Sequence, residues 1–162
     1  MSKSPENNLE RMIRLAEEFF AAKDDPSQIS VNGKVMLRLK NIHPDTITEK
    51  RTSKGPIAWI LIIPTTHKLM QQFITKKINE KDLYKKIPLR VKYDSIYLCS
   101  ALVLPEYRGR GLAKDLMIKA IKSIRKDHPI NCLFYWGVSI EGKKLAASVA
   151  KELSLPLYKR AK

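Results

Sequence analysis

In the run Leu102-Val103-Leu104-Pro105-Glu106-Tyr107-Arg108-Gly109-Arg110-Gly111-Leu112-Ala113, two glycines flank an arginine between an apolar stretch and an amphipathic one. The pattern reads as a strand that passes through a tight turn straight into a helix. The first N–H groups of a helix have no intrahelical acceptor and point outward. The helix macrodipole places partial positive charge at the same end. Glycine carries no Cβ, so a phosphate oxygen can approach the main chain closely. Successive N–H groups in such a turn form a concavity that holds anions. Arg108, Arg110 and Lys114 surround it with full positive charges. The segment therefore predicts a phosphate or pyrophosphate site. The conformational alternative is a tight strand-to-helix turn that needs glycine for its backbone alone.

Other phosphate motifs are absent. No GK[ST] ending follows the glycines, as a nucleotide P-loop requires, and the third glycine and distal acid of a dinucleotide fingerprint are missing. The two cysteines, Cys99 and Cys132, sit inside apolar strand-like runs with no CxxC pairing. They read as buried reduced thiols, and no metal site is expected.

The elements around the segment follow from hydrophobic periodicity. Glu6–Lys23 reads as a helix with Leu9, Met12, Ile13, Ala16, Phe19 and Phe20 inward, stopped by Asp24-Asp25-Pro26. Val35–Leu39 reads as a short strand and Asn41–Asp45 as a turn. Thr46–Thr52 and Ile57–Ile63 flank Ser53-Lys54-Gly55-Pro56 as a hairpin, and the nearly continuous apolar character of Ile57–Ile63 predicts a strand buried on both faces. Helices are expected over His67–Lys77 and Asn79–Lys86, and a strand over Tyr93–Leu104. A helix from Gly111 to Lys126, a strand over Cys132–Val138, a helix over Gly142–Leu153 and a last strand in Leu155–Lys159 complete the chain. The second half thus alternates strand and helix, which predicts an α/β fold with a mixed sheet flanked by helices. No linker or repeat divides the chain, and one domain over 1–162 is expected.

Val103-x-Pro105-x-x-Arg108-Gly109-x-Gly111-x-Ala113 resembles the acyl-CoA signature of the GNAT superfamily of N-acetyltransferases. Its core, Gln/Arg-x-x-Gly-x-Gly/Ala, is met by Arg108, Gly111 and Ala113. The resemblance is clearest over Tyr93–Leu155. It implies a central twisted sheet with splayed parallel strands at the acyl-CoA site, and transfer of an acetyl group from acetyl-CoA to an amine by direct attack on the thioester. It also implies that backbone N–H groups of Gly109, Arg110, Gly111, Leu112, Ala113 and Lys114 hold the coenzyme A pyrophosphate. The main chain of Leu102, Val103 and Leu104 would pair with the pantetheine arm, and an amide near Val103 would polarise the thioester carbonyl. A bulge in that strand belongs to the same picture, so simple alternation is unsafe around Ala101.

The chain departs from the resemblance where protons must move. Direct attack requires an amine that has lost a proton, and the leaving thiolate takes one up. No acid lies in Ser95–Leu104, where many members carry a carboxylate. Tyr97 and Cys99 stand at plausible positions for catalysis, although both residue types serve more often in packing. Glu80, Asp82 and Asp94 are near in sequence, and Glu106 reads as a solvated turn residue. Ala150 falls where many members have a tyrosine acid on the last helix, with Tyr158 as a substitute candidate. Only Leu155–Lys162 follows that helix, room for one strand where the family has two. A partner subunit supplying the other would make a homodimer.

The 162 residues carry a net charge of +15. A surface this basic attracts anions, whether nucleic acid, a polyanionic small molecule or an acidic acceptor. The lysines are spread along the chain, with no RNP-like aromatic run, no basic reading helix and no zinc pattern, which fits nucleic acid poorly. A non-catalytic acyl-CoA binder on the same fold is the third reading. The polar amino terminus and the absence of a long apolar run predict no membrane association and a cytoplasmic location.

Overall fold

The computed structural model describes residues 6–23, 33–137 and 139–161. The expected helix stop at Asp24-Asp25-Pro26, the side chains of Phe19 and Phe20 and the strand end at Val138 lie outside the described residues. Six helices are described: α1 (Asn8–Lys23), α2 (Gly33–Ile42), α3 (His67–Ile74), α4 (Glu80–Lys86), α5 (Leu112–Asp127) and α6 (Ile140–Leu153). They flank a five-stranded mixed sheet of β1 (Ile47–Thr52), β2 (Gly55–Thr65), β3 (Ser95–Val103), β4 (Cys132–Tyr135) and β5 (Leu157–Lys159), whose spatial order follows the sequence. β1, β2 and β3 pair antiparallel, whereas β3–β4 and β4–β5 are parallel. Parallel neighbours need crossovers, and α5 and α6 supply them. This is the mixed α/β architecture that the alternating pattern predicts.

One expected strand is a helix. Val35–Leu39 lies within α2, where Leu39 and Ile42 are buried three residues apart while Leu37 is 66% exposed. Strand alternation would have put Leu37 on the same face as Leu39. Arg38 fixes α2 by donating to the carbonyls of Tyr84, Lys85 and Ile87 at the end of α4. The turn expected at Asn41–Asp45 is a 3-10 turn over Pro44–Thr46, entered at His43, whose Nδ1 accepts from the Asp45 N–H.

Helix starts follow side-chain capping. Thr66 accepts from the Leu69 N–H at α3, Asn79 and Asp82 form a capping box at α4, and Ser139 accepts from the Gly142 N–H at α6. The core is dominated by β2, β3 and β4, with Ile62, Ile63, Ile96, Leu133 and Phe134 fully buried. Phe73, Tyr97 and Phe134 form an aromatic cluster, with Tyr97 stacked on Phe134 at 5.2 Å between centroids. This cluster closes the end of the sheet where β3 and β4 are paired. The expected bulge is present: Leu61 opposes Ser100 while Ile62 opposes Leu98, so Cys99 is the extra residue on β3.

Candidate active site

β3 and β4 are paired only from Ser95–Leu98 to Cys132–Tyr135. Beyond Leu98, β3 stays bonded to β2 but, among the described residues, pairs with no strand on the β4 side. A cleft of about 800 Å³ opens there, lined by Cys99–Val103, Tyr107–Gly109, Gly111–Lys114, Trp136, the start of α6, and Leu15 and Glu18 of α1. The volume is typical of small-molecule sites, which span roughly 300–1,000 Å³.

The register shows which amides face this cleft. The Leu104 N–H donates to the Ile57 carbonyl at 2.9 Å, toward β2. Amide direction alternates along an antiparallel strand, so Leu102 also faces β2, and Ala101 and Val103 face the cleft. Arg108 Nε donates to the Val103 carbonyl at 3.0 Å, from the cleft side. Of the three residues expected to offer main chain to a ligand, Val103 faces the cleft. The N–H of Leu104 is already committed, and Leu102 shares its direction. Ala101, two residues before Val103, is the other cleft-facing position.

At the turn, Gly109 and Gly111 have φ of 79° and 76°, the left-handed region that glycine occupies without strain. A Cβ built on either glycine meets nothing within 4 Å, so their bareness opens space rather than relieving contact inside the protein. Among the described residues, no N–H group from Gly109 to Lys114 meets a protein acceptor. Two helices begin at this cleft, and they differ. Each carries one acid in its first turn, Asp115 in α5 and Glu141 in α6, but α6 is also capped by Ser139, which accepts from the Gly142 N–H. α5 begins at Gly111 with no side-chain cap, and Lys114 stands beside it. The end of α5 is therefore the anion-receptive one.

The surrounding charges are held in place. Arg110 lies over the Tyr107 ring at 5.3 Å, and Lys114 Nζ is 3.7 Å from Glu152. Glu106 is more than a solvated turn residue, because it pairs with Arg11 of α1 at 2.7 Å.

The catalytic candidates separate clearly. Tyr97 is fully buried behind the cleft, and its hydroxyl donates to Glu80 Oε2 at 2.5 Å. Burial, reinforced by the nearby Cys99 and Glu80, pushes the Tyr97 hydroxyl well above its ordinary value of 10.0, so it stays protonated. Cys99 lines the cleft, with its Sγ 3.9 Å from the same Glu80 oxygen. Tyr158 lies on the edge strand β5, 40% exposed and outside the cleft lining. That position does not bring it to Cys99. Ala150 is buried in α6. Of the three neighbouring acids, Asp82 caps α4 and Asp94 accepts from Ser95, which leaves Glu80 at the centre.

Sequence reasoning named Glu80 only as a neighbour. A sharper signal was available, because Glu80, Leu83, Tyr84 and Ile87 recur at helical spacing and all four are buried. A carboxyl on the inner face of a helix needs a partner. Arg160, which sequence reasoning passed over, donates to the carbonyls of Phe73 at 2.5 Å and Ile78 at 2.8 Å, and lies 4.4 Å above the Phe73 ring. It fastens α3 and the loop before α4 to the end of the sheet. Burial lowers its pKa, while Tyr97 and Glu80 oppose that shift.

Solved structures with a similar arrangement include Naa20 of Chaetomium thermophilum in complex with a bisubstrate analogue, at 16% identity and a TM-score of 0.41. That similarity covers 74% of this chain and 54% of the Naa20 chain, so this protein spans about half the length of that relative. The ribosomal-protein-alanine N-acetyltransferase of Brucella melitensis biovar Abortus 2308 aligns at 12% identity and a TM-score of 0.45, covering 84% of this chain and 79% of its own. No curated protein sequence matches the chain. The model of the acetyltransferase (GNAT) family matches residues 56–151, from β2 into α6, and takes in the cleft residues of β3, the glycine turn and α6. On that match, which takes in more than half of its residues, the chain belongs to the GNAT acetyltransferase family.

Proposed function

We propose that this protein is an N-acetyltransferase that carries an acetyl group from coenzyme A to an amine. The observation that carries the proposal is the uncapped, glycine-turned start of α5 opening on the same cleft as the unpaired edge of β3. The N–H groups of Gly109–Lys114 hold the pyrophosphate, with Arg108 and Arg110 adding charge. The free amides of Ala101 and Val103 pair with the amide-bearing pantetheine arm as a neighbouring strand would. An amide on this edge also polarises the thioester carbonyl, because a fixed N–H aimed at a developing oxyanion stabilises it without reorganisation. The bulge at Cys99 turns β3 away from β4 and so makes room for the arm.

Calorimetry with acetyl-CoA tests the binding half of this proposal. The transfer half is tested by mass spectrometry after incubation with labelled acetyl-CoA and a panel of amines: a polyamine, an aminoglycoside, a peptide amino terminus and a lysine side chain. Failure to bind acetyl-CoA at millimolar concentration ends the proposal. Binding without transfer to any amine favours a coenzyme-binding protein, a reading supported by the buried Ala150 on α6.

A further inference from the structure

Acyl transfer to an amine leaves a surplus proton on nitrogen and a missing one on sulfur, and main-chain amides move neither. The side chains best placed to do so are Glu80, Tyr97 and Cys99, brought together from α4 and β3. Glu80 is 4% exposed and receives the Tyr97 hydroxyl at 2.5 Å. The Cys99 thiol stands 3.9 Å from the same oxygen. Tyr97 and Glu80 lie behind the cleft, while Cys99 lines it. Cys99 is also the bulge residue, at the point where β3 parts from β4. In the acyl-coenzyme A reading, on which this inference rests, the thioester end of the pantetheine arm lies against that point.

We propose that Cys99 is a catalytic residue that returns a proton to the departing sulfur, and that Glu80 and Tyr97 are the positioning residues that orient its thiol. As the nitrogen–carbon bond forms and the carbon–sulfur bond breaks, the Cys99 proton passes to the coenzyme sulfur. The surplus proton on nitrogen then passes to the Cys99 thiolate and restores the thiol. Proton and charge balance, and Glu80 and Tyr97 end unchanged. A carboxylate beside the sulfur disfavours a lasting thiolate and so favours the return step.

Alkylation by iodoacetamide, read peptide by peptide in the mass spectrometer, tests placement and coupling together. Cys132 is the internal control: its sulfur is buried against Ser95 and Met70, and burial raises its pKa. Free coenzyme A is expected to slow alkylation of Cys99 by at least about tenfold and to leave Cys132 unchanged. E80Q is expected to move the pH midpoint of Cys99 alkylation downward, since a negative charge beside the thiol is lost. Y97F, which keeps the buried ring, tests the same coupling if E80Q does not fold. C99A is expected to lower kcat on the fastest panel amine by roughly a hundredfold, a usual size for loss of a proton donor, with coenzyme affinity unchanged. Coenzyme binding with no protection of Cys99 overturns the inference, as does full turnover by C99A. Absence of coenzyme binding instead removes the acyl-coenzyme A reading beneath it.

Discussion

Arg11 of α1 and Glu106 of the turn before α5 hold one another by a two-point ion pair, with both carboxylate oxygens 2.7 Å from the same guanidinium nitrogen. Ninety-five residues separate them in the chain. The pair fastens the first helix to the loop that presents the proposed pyrophosphate site. The same contact raises the pKa of Arg11 and lowers that of Glu106. R11A is expected to weaken acetyl-CoA binding by about threefold, because an exposed pair positions the loop more than it stabilises the fold. Calorimetry at two salt concentrations checks this, with the smaller effect at high salt.

Gly111 separates backbone from charge. Its φ of 76° suits glycine, and asparagine and aspartate tolerate that region better than other residues. G111N and G111D are therefore expected to be similarly stable. Only G111D places a carboxylate in the anion concavity, and its acetyl-CoA dissociation constant is expected to rise at least about tenfold above that of G111N. G111A, with neither charge nor an adaptable side chain, is expected to lose roughly 1–2 kcal/mol of stability in a denaturant titration.

Phe134 anchors the joined end of β3 and β4. It is fully buried, stacks on Tyr97 and meets Phe73 edge-on at 5.8 Å. F134A is expected to cost about 3–5 kcal/mol. The loss is read from the midpoint of urea unfolding at unchanged slope.

His128 at the end of α5 makes stability depend on pH. Its Nδ1 accepts the Tyr93 N–H at 3.2 Å, which requires an uncharged nitrogen. Burial lowers its pKa below the ordinary 6.5, aided by His43 and Lys92 and opposed by Asp127. Below 6.5 the unfolded chain binds a proton that the folded chain resists, so stability is full above that pH and falls as the pH drops below it. Thermal unfolding from pH 7.5 to 5.5 is expected to show a decline that is smaller in H128Q.

The strand–turn–helix from Tyr97 to Asp127 was legible because its signals are local: an apolar run, a proline, two glycines and a helical stripe. α2 was not, because Val35-Met36-Leu37-Arg38-Leu39 is too short to distinguish periods of two and 3.6 by pattern alone. Its helical state is favoured by the reach of Arg38 to α4, a tertiary contact. The proposed cofactor side of the site rests on a local motif, Arg108, Gly111 and Ala113. The proposed proton-handling side has no such motif, because Glu80 and Tyr97 meet only where α4 comes to rest on β3. No spacing rule links a helix residue to the strand on which it comes to rest.

The central claim is that the amides at the start of α5 receive a diphosphate. A crystal structure of the protein with coenzyme A tests it most directly. The account predicts diphosphate oxygens within hydrogen-bonding distance of N–H groups between Gly109 and Lys114, and the pantetheine arm along Ala101 and Val103. A diphosphate bound anywhere else on the molecule would contradict it.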